Sequence, residues 1–338
     1  MRYPALDGLR GIAVLLVFCV HAAGNAANVA LGINLDSASF SGLNGFTERA
    51  LFWLYRSHHG VFLFFVLSGF LIGRMWWPRR TMSYATFALR RTLRIYPAFL
   101  LAFVASLAFA WHSGTWQPPD FGRLIGNLLF INGAPASGVA PFNIVTWSLF
   151  YEMTFYLVFP FMLFLARSAV TVAIAGIVGP AVGVLAGIDT LALCWSLLFF
   201  GVLLASTAQR MPVSPIVILM AYFAITTLAM LDALPVVPAM LGFAAVAALL
   251  IGKSLETGNI ISRTLALAPL RALGRVSYSF YLLHWMIVVL VARAVDGILA
   301  PLPAALAIFG LGFSLSALAA TVSWWVAERP YFAWVAKA

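Results

Sequence analysis

The sequence alternates long apolar stretches with short polar breaks, ten times over. The stretches lie near 9–28, 58–77, 95–113, 146–166, 168–187, 190–208, 213–231, 235–252, 277–295 and 302–325. Each holds about 20 residues, the length at which a helix crosses a bilayer. Arg167, Asp189, Arg210-Met211-Pro212 and Asp232 to Pro235 punctuate segments that turn straight back. The expectation is an all-α polytopic membrane protein with about ten transmembrane helices, folded as one domain over residues 1–338. The chain is 63% hydrophobic and 9% charged, against about 25% charged in a soluble domain. Its mean hydropathy is +1.01.

The basic residues are unevenly placed. With the N-terminus in the cytoplasm, fifteen Lys and Arg fall on the inner side and four on the outer: Arg49, Arg56, Arg123 and Arg293. That asymmetry is what the positive-inside rule produces. It returns the C-terminus to the cytoplasm, and it accounts for the net charge of +10 without a nucleic-acid partner. Arg2, the first apolar run and Ala22 to Ala27 have the form of a signal peptide. The nine stretches behind them favour a retained first span. Cys19 and Cys194 show no ligand spacing.

Against this background, polar residues inside the spans stand out, because an ionisable side chain in a membrane helix is a functional candidate by default. On the first span Arg10 and His21 are eleven residues apart. That is about three turns, so both share one helix face, about 16 Å apart. The second span carries Ser68-Gly69 at mid-membrane, where small residues allow close approach. The fourth opens on Trp147 and carries Glu152, the one acidic residue well inside an expected span. It needs a partner or a wet cavity. The ninth carries Ser277, Tyr281 and His284 on one polar stripe.

Between the second and third spans lies the most basic stretch, Pro78-Arg79-Arg80 and then Arg90-Arg91-Thr92-Leu93-Arg94. Arg91 and Arg94 share a helix face and suit a phosphate gripped bidentately. Anchoring to anionic lipid is the plainer use of the same charges. The first outer loop, about 29–57, is rich in Gly, Asn and Ser and ends at Ser57-His58-His59. No Cys or carboxylate stands at ligand spacing beside that pair, so no metal is expected. The second outer loop holds Pro118-Pro119 and a short apolar piece, Leu124 to Ile131, too short to span.

Taken together, these pieces resemble the integral-membrane acyltransferase family 3, the carbohydrate O-acyltransferases. The matching residues run in order: Asp7-Gly8-Leu9-Arg10-Gly11 with His21; Leu63 to Phe70, including Ser68-Gly69-Phe70; Arg90 to Pro97; Trp147-Ser148-Leu149 with Glu152 and Phe155-Tyr156; Ser277 to Leu282 with His284-Trp285; and Glu328-Arg329-Pro330.

The resemblance implies a multi-pass protein of the bacterial cytoplasmic membrane that moves an acyl group, most often acetyl from acetyl-CoA, to a sugar hydroxyl of an envelope glycan or glycosylated metabolite. It implies catalytic roles for Arg10 and His21, and a donor role for Arg91 and Arg94. We extend the donor site to Arg90 and Ser68, the catalytic set to Glu152, and acceptor binding to Trp147, Tyr281 and His284. The expected partners are acyl-CoA, a sugar-containing acceptor and the bilayer. Two positions depart from the family pattern: Phe62, where an acidic residue is common, and Met153-Thr154, where Glu-Gln is common. Two other readings fit a chain with buried Arg, His and Glu. One is a proton-coupled transporter, though no inverted repeat is seen. The other is a non-catalytic sensor or scaffold.

Overall fold

The structure is a computed structural model. It describes residues 3–56, 58–76, 83–117, 120–166, 168–207 and 213–335. Arg2, Ser57, Pro78-Arg79-Arg80, Pro118-Pro119, Arg167 and Arg210-Met211-Pro212, all singled out above, lie outside the described residues.

Every regular element among the described residues is helical. In chain order they are α1 (Pro4–Leu31), α2 (Phe46–Arg56), α3 (His59–Trp76), α4 (Tyr84–His112), α5 (Phe121–Leu128), α6 (Trp147–Ala166), α7 (Ala169–Leu185), α8 (Leu193–Thr207), α9 (Pro215–Met230), α10 (Val236–Leu255), α11 (Ile260–Leu265), α12 (Ala268–Arg275), α13 (Ser277–Val295), α14 (Pro301–Ser323) and α15 (Arg329–Val335). A π-helical turn, Trp324–Glu328, joins α14 to α15. Each of the ten apolar stretches forms a helix. Eight described helical stretches are long and apolar enough to cross a membrane, while α7 and α9 are apolar but shorter, with 17 and 16 residues.

The breaks between helices have local causes. Asp189 accepts from the Leu191 backbone N–H at 2.8 Å and caps the 3-10 turn Thr190–Ala192 that leads into α8. Ser168 caps α7 through the Thr171 N–H, and Ser214 caps α9, with Pro215 at its first position. Asp232 turns the chain with φ at 52°.

Two helices extend beyond what hydropathy suggests. The Gly-rich outer loop contains α2, an amphipathic helix that buries Leu51 and Phe52, with Arg49 and Arg56 over the rings of Phe40 and Phe52. A single apolar face escapes a search for continuous apolar runs. The third span begins at Tyr84, because Arg90, Arg91 and Arg94 are good helix formers and do not interrupt it.

The chain divides into two compact units, each assembled from separate segments. The first comprises Met1–Ala13, His59–Ala88 and Ser148–Gly274. Its most extensive packing is α3 on α8, where glycine brings main chain against main chain. A methyl at Gly69 would fall 1.8 Å from the Leu198 carbonyl oxygen, and one at Gly201 would fall 2.0 Å from that of Val66. The start of α1 is seated the same way on α11 and α12. A methyl at Gly8 would meet the Leu265 oxygen at 1.7 Å, at Gly11 the Leu270 oxygen at 2.2 Å, and at Gly274 the Asp7 oxygen at 1.7 Å. Small residues permit this approach, and dispersion between the helices supplies the attraction in lipid.

The second unit comprises Val14–His58, Leu89–Trp147 and Arg275–Ala338. Here α13 packs along α14, and Phe18 of α1 inserts edge-on among Phe280, Phe309 and Phe313. The short apolar piece of the second outer loop forms α5. Asn127 on α5 accepts from the Phe142 N–H and donates to the Ala140 carbonyl, both at 3.0 Å, tying the loop to itself.

Candidate active site

The candidate residues gather into clusters, some in each unit. In the first unit, Arg10 sits one turn along α1 from Asp7, with 3.9 Å between guanidinium and carboxylate. Both are partly exposed, so the pair is a loose one. The flanking Gly8 and Gly11 hold this turn of α1 against α11 and α12, which fixes where Arg10 can point.

The same unit brings Ser68 and Glu152 together. The Ser68 hydroxyl donates to Glu152 Oε1 at 2.6 Å, and the Tyr156 hydroxyl, one turn further along α6, donates to the same oxygen. The carboxylate inside the span therefore has hydroxyl partners rather than a cation. It is only half-buried, and its Oε2 accepts no hydrogen bond among the described residues. Fully buried Phe87 packs edge-on against Tyr156.

The two departures from the family pattern are also absorbed here. Phe62 joins a cluster in which His59 stacks on Phe243 with centroids 3.8 Å apart and meets the Tyr222 hydroxyl at 3.1 Å. Thr154 accepts from the Trp195 indole at 2.9 Å. His59 is therefore an interior aromatic-cluster residue.

In the second unit His21 meets His284. Their ring centroids are 5.1 Å apart, with the planes tilted by 50°. His21 is half-buried and His284 fully buried. Asn25, one turn on, donates to the His21 carbonyl at 2.8 Å. Tyr281 is also buried and donates its hydroxyl to the Val145 carbonyl at 2.6 Å, while Asn143 donates to the Leu282 carbonyl at 2.7 Å. These bonds lock α13 onto the residues that lead into α6. Neither Tyr281 nor His284, assigned above to acceptor binding, offers exposed surface. Trp147 is half-buried at the start of α6.

Arg90, Arg91 and Arg94 lie on the first half of α4, all half-buried. Arg94 Nη1 pairs with Glu328 Oε2 at 3.0 Å, and the guanidinium covers the Phe332 ring at 4.5 Å. Glu328 Oε1 accepts from the Ser279 hydroxyl at 2.7 Å, and Ser279 meets Ser323 at 2.9 Å. Glu328 is 1% exposed. The sequence marked this glutamate only as part of Glu328-Arg329-Pro330 and did not reveal its partner. Glu328 closes the π-helical turn Trp324–Glu328, whose i to i+5 hydrogen bonding re-phases the helix. Among the described residues no cluster of three His, Cys, Asp or Glu is placed to hold a metal.

A model of the acyltransferase domain matches residues 3–321. The chain belongs to acyltransferase family 3. Acyltransferase MdmB of Streptomyces mycarofaciens is 30% identical over 174 residues, which is 49% of this chain and 41% of that protein. No solved structure matches the chain. The family match covers the helices that carry His21, Glu152, Arg94 and His284, and it ends within α14, before Glu328.

Proposed function

We propose that this membrane protein transfers an acyl group, in the simplest case acetyl from acetyl-CoA, to a hydroxyl of a cell-envelope glycan or glycosylated metabolite. We further propose that it does so in a bacterial cytoplasmic membrane with both termini inside. The observation that supports this reading is α1 itself. It is one helix from Pro4 to Leu31, it carries Arg10 and the half-buried His21 on one face about 16 Å apart, and it opens the region matched by the acyltransferase domain.

In the proposed reaction His21 removes the proton from the acceptor hydroxyl. The oxygen attacks the thioester carbonyl, the C–S bond breaks, and CoA leaves as a thiol carrying the proton back from His21. Arg10 steadies the donor, and Arg90 and Arg91 meet its phosphates. Arg94 contributes field rather than a free guanidinium, since Glu328 already holds it. Glu152 Oε2 takes an acceptor hydroxyl, oriented through its Ser68 and Tyr156 bonds, and Trp147 gives the sugar an apolar face.

The experiment is acyl transfer by the purified full chain with radiolabelled acetyl-CoA and a panel of membrane glycans. Transfer abolished in His21→Ala supports the reading. Full transfer by that variant removes His21 as the base. Uptake of substrate driven by a proton gradient, without consumption of acetyl-CoA, points to the transporter instead.

A further inference from the structure

His284 is completely buried, yet its ring is half-satisfied. Its Nδ1 faces the main-chain carbonyls of Tyr281 at 2.8 Å and Phe280 at 3.1 Å. Carbonyl oxygens only accept, so Nδ1 carries the proton, and in the neutral ring Nε2 is left with a lone pair. That nitrogen is buried and has no hydrogen-bond partner among the described residues, which costs free energy unless something supplies a donor.

Three rings surround it. Phe280, stacked at 5.9 Å, has no polar hydrogen, and the Tyr281 hydroxyl is spent on Val145. The third and nearest is His21, at 5.1 Å between centroids. Two imidazoles joined by one N–H···N bond have centroids about 5 Å apart, the sum of a bond near 2.9 Å and two ring radii. A half-turn of the His21 ring about Cβ–Cγ exchanges carbon for nitrogen without moving the ring, and that choice is set by hydrogen bonding.

We propose that His284 is a positioning residue for His21. It accepts an N–H from His21 through Nε2 and so fixes the tautomer in which the other His21 nitrogen presents its lone pair to the acceptor hydroxyl. The inference rests on the reading of His21 as the base. It gives His284 a role that its burial permits, whereas direct contact with a sugar is closed to it. The arrangement has the logic of a triad's third member, which orients the base and supports its protonated form, with a neutral imidazole in place of a carboxylate. The backbone bonds at Nδ1 play the part that second partners play for oriented histidines in general.

The test uses the full chain in nanodiscs, with two variants and two readouts. His284→Phe keeps the stack on Phe280 and removes the nitrogens. His284→Gln places an amide oxygen near the position of Nε2. The chain has five histidines, so imidazole 15N spectra can be assigned by substitution.

The expected spectrum shows His284 protonated at Nδ1, and a hydrogen-bonded His21 N–H that disappears in His284→Phe. The expected kinetics are a loss of about tenfold to hundredfold in kcat for His284→Phe, part of the roughly hundredfold to ten-thousandfold that a positioned base supplies. Donor KM stays within about twofold, and His284→Gln recovers much of the rate. A proton on Nε2 of His284, or a His21 signal unchanged in His284→Phe, overturns the proposal. So does kcat unaltered in a folded His284→Phe. If the wild type transfers nothing to any acceptor, the acyltransferase reading fails, and the nitrogen spectra still decide whether the pair exists.

Discussion

Removing both sides of the Arg94–Glu328 pair should cost the protein clearly less than the sum of removing each alone. At 3.0 Å the attraction is about 5 kcal/mol with an effective dielectric of 20. Desolvation of both groups offsets most of it, but a lone survivor keeps the desolvation cost without the attraction, about 3–5 kcal/mol for a buried pair. The two survivors are unequal. Arg94 keeps 20% of its side chain exposed and can turn outward, whereas Glu328 keeps 1%. Arg94→Ala should therefore cost about 3–5 kcal/mol and Glu328→Ala about 2 kcal/mol, since the latter leaves only a partly solvated guanidinium and the Ser279 N–H without its Glu328 acceptor.

The double variant should fall well short of the sum, with a coupling of about 2 kcal/mol or more. The assay is denaturant unfolding of the four proteins in mixed micelles, followed by tryptophan fluorescence. Strict additivity refutes the argument. Equal losses from the two single variants refute the part of it that depends on unequal burial.

Three further outcomes follow from other contacts. Gly69→Ala should destabilise the first unit by about 1–3 kcal/mol, because the new methyl can be housed only by parting α3 from α8; unfolding in micelles measures it, and an unchanged midpoint removes the main-chain contact. Glu152→Gln keeps an acceptor for Ser68 and Tyr156 but loses the charge, so folding should survive while transfer falls about tenfold or more; thermal unfolding alongside turnover separates the two effects. Tyr281→Phe deletes the buried hydroxyl that donates to the Val145 carbonyl, which should cost about 1–3 kcal/mol; a variant as stable as the parent means the bond is not held.

How much of this was legible beforehand depended on the range of the interaction. All ten apolar stretches are helices, because hydropathy and length act within a segment. The turn at Asp189 was readable for the same reason: a cap bonds its own neighbours. Arg10 and His21 stood out because a polar atom inside a span is conspicuous wherever its partner lies. The partners themselves were not legible. Ser68 and Glu152 are 84 residues apart and Arg94 and Glu328 are 234 apart, and spacing along the chain says nothing about contacts at that range. Helix α2 was missed because its apolar face is one-sided.

The glycines beside Arg10 carry a last consequence. Gly8, Gly11 and Gly274 stand where only a hydrogen fits between two backbones, so they report on how helices cross and not on what the protein does. In the run Asp7-Gly8-Leu9-Arg10-Gly11, a short pattern that looks like one signature is therefore two superimposed records, one of architecture and one of chemistry. They can part company. A descendant that lost Arg10 and kept the glycines would still fold and still score as kin while having given up its reaction. In such chains the informative letter is the charged one, and the glycines around it vouch only for the scaffold.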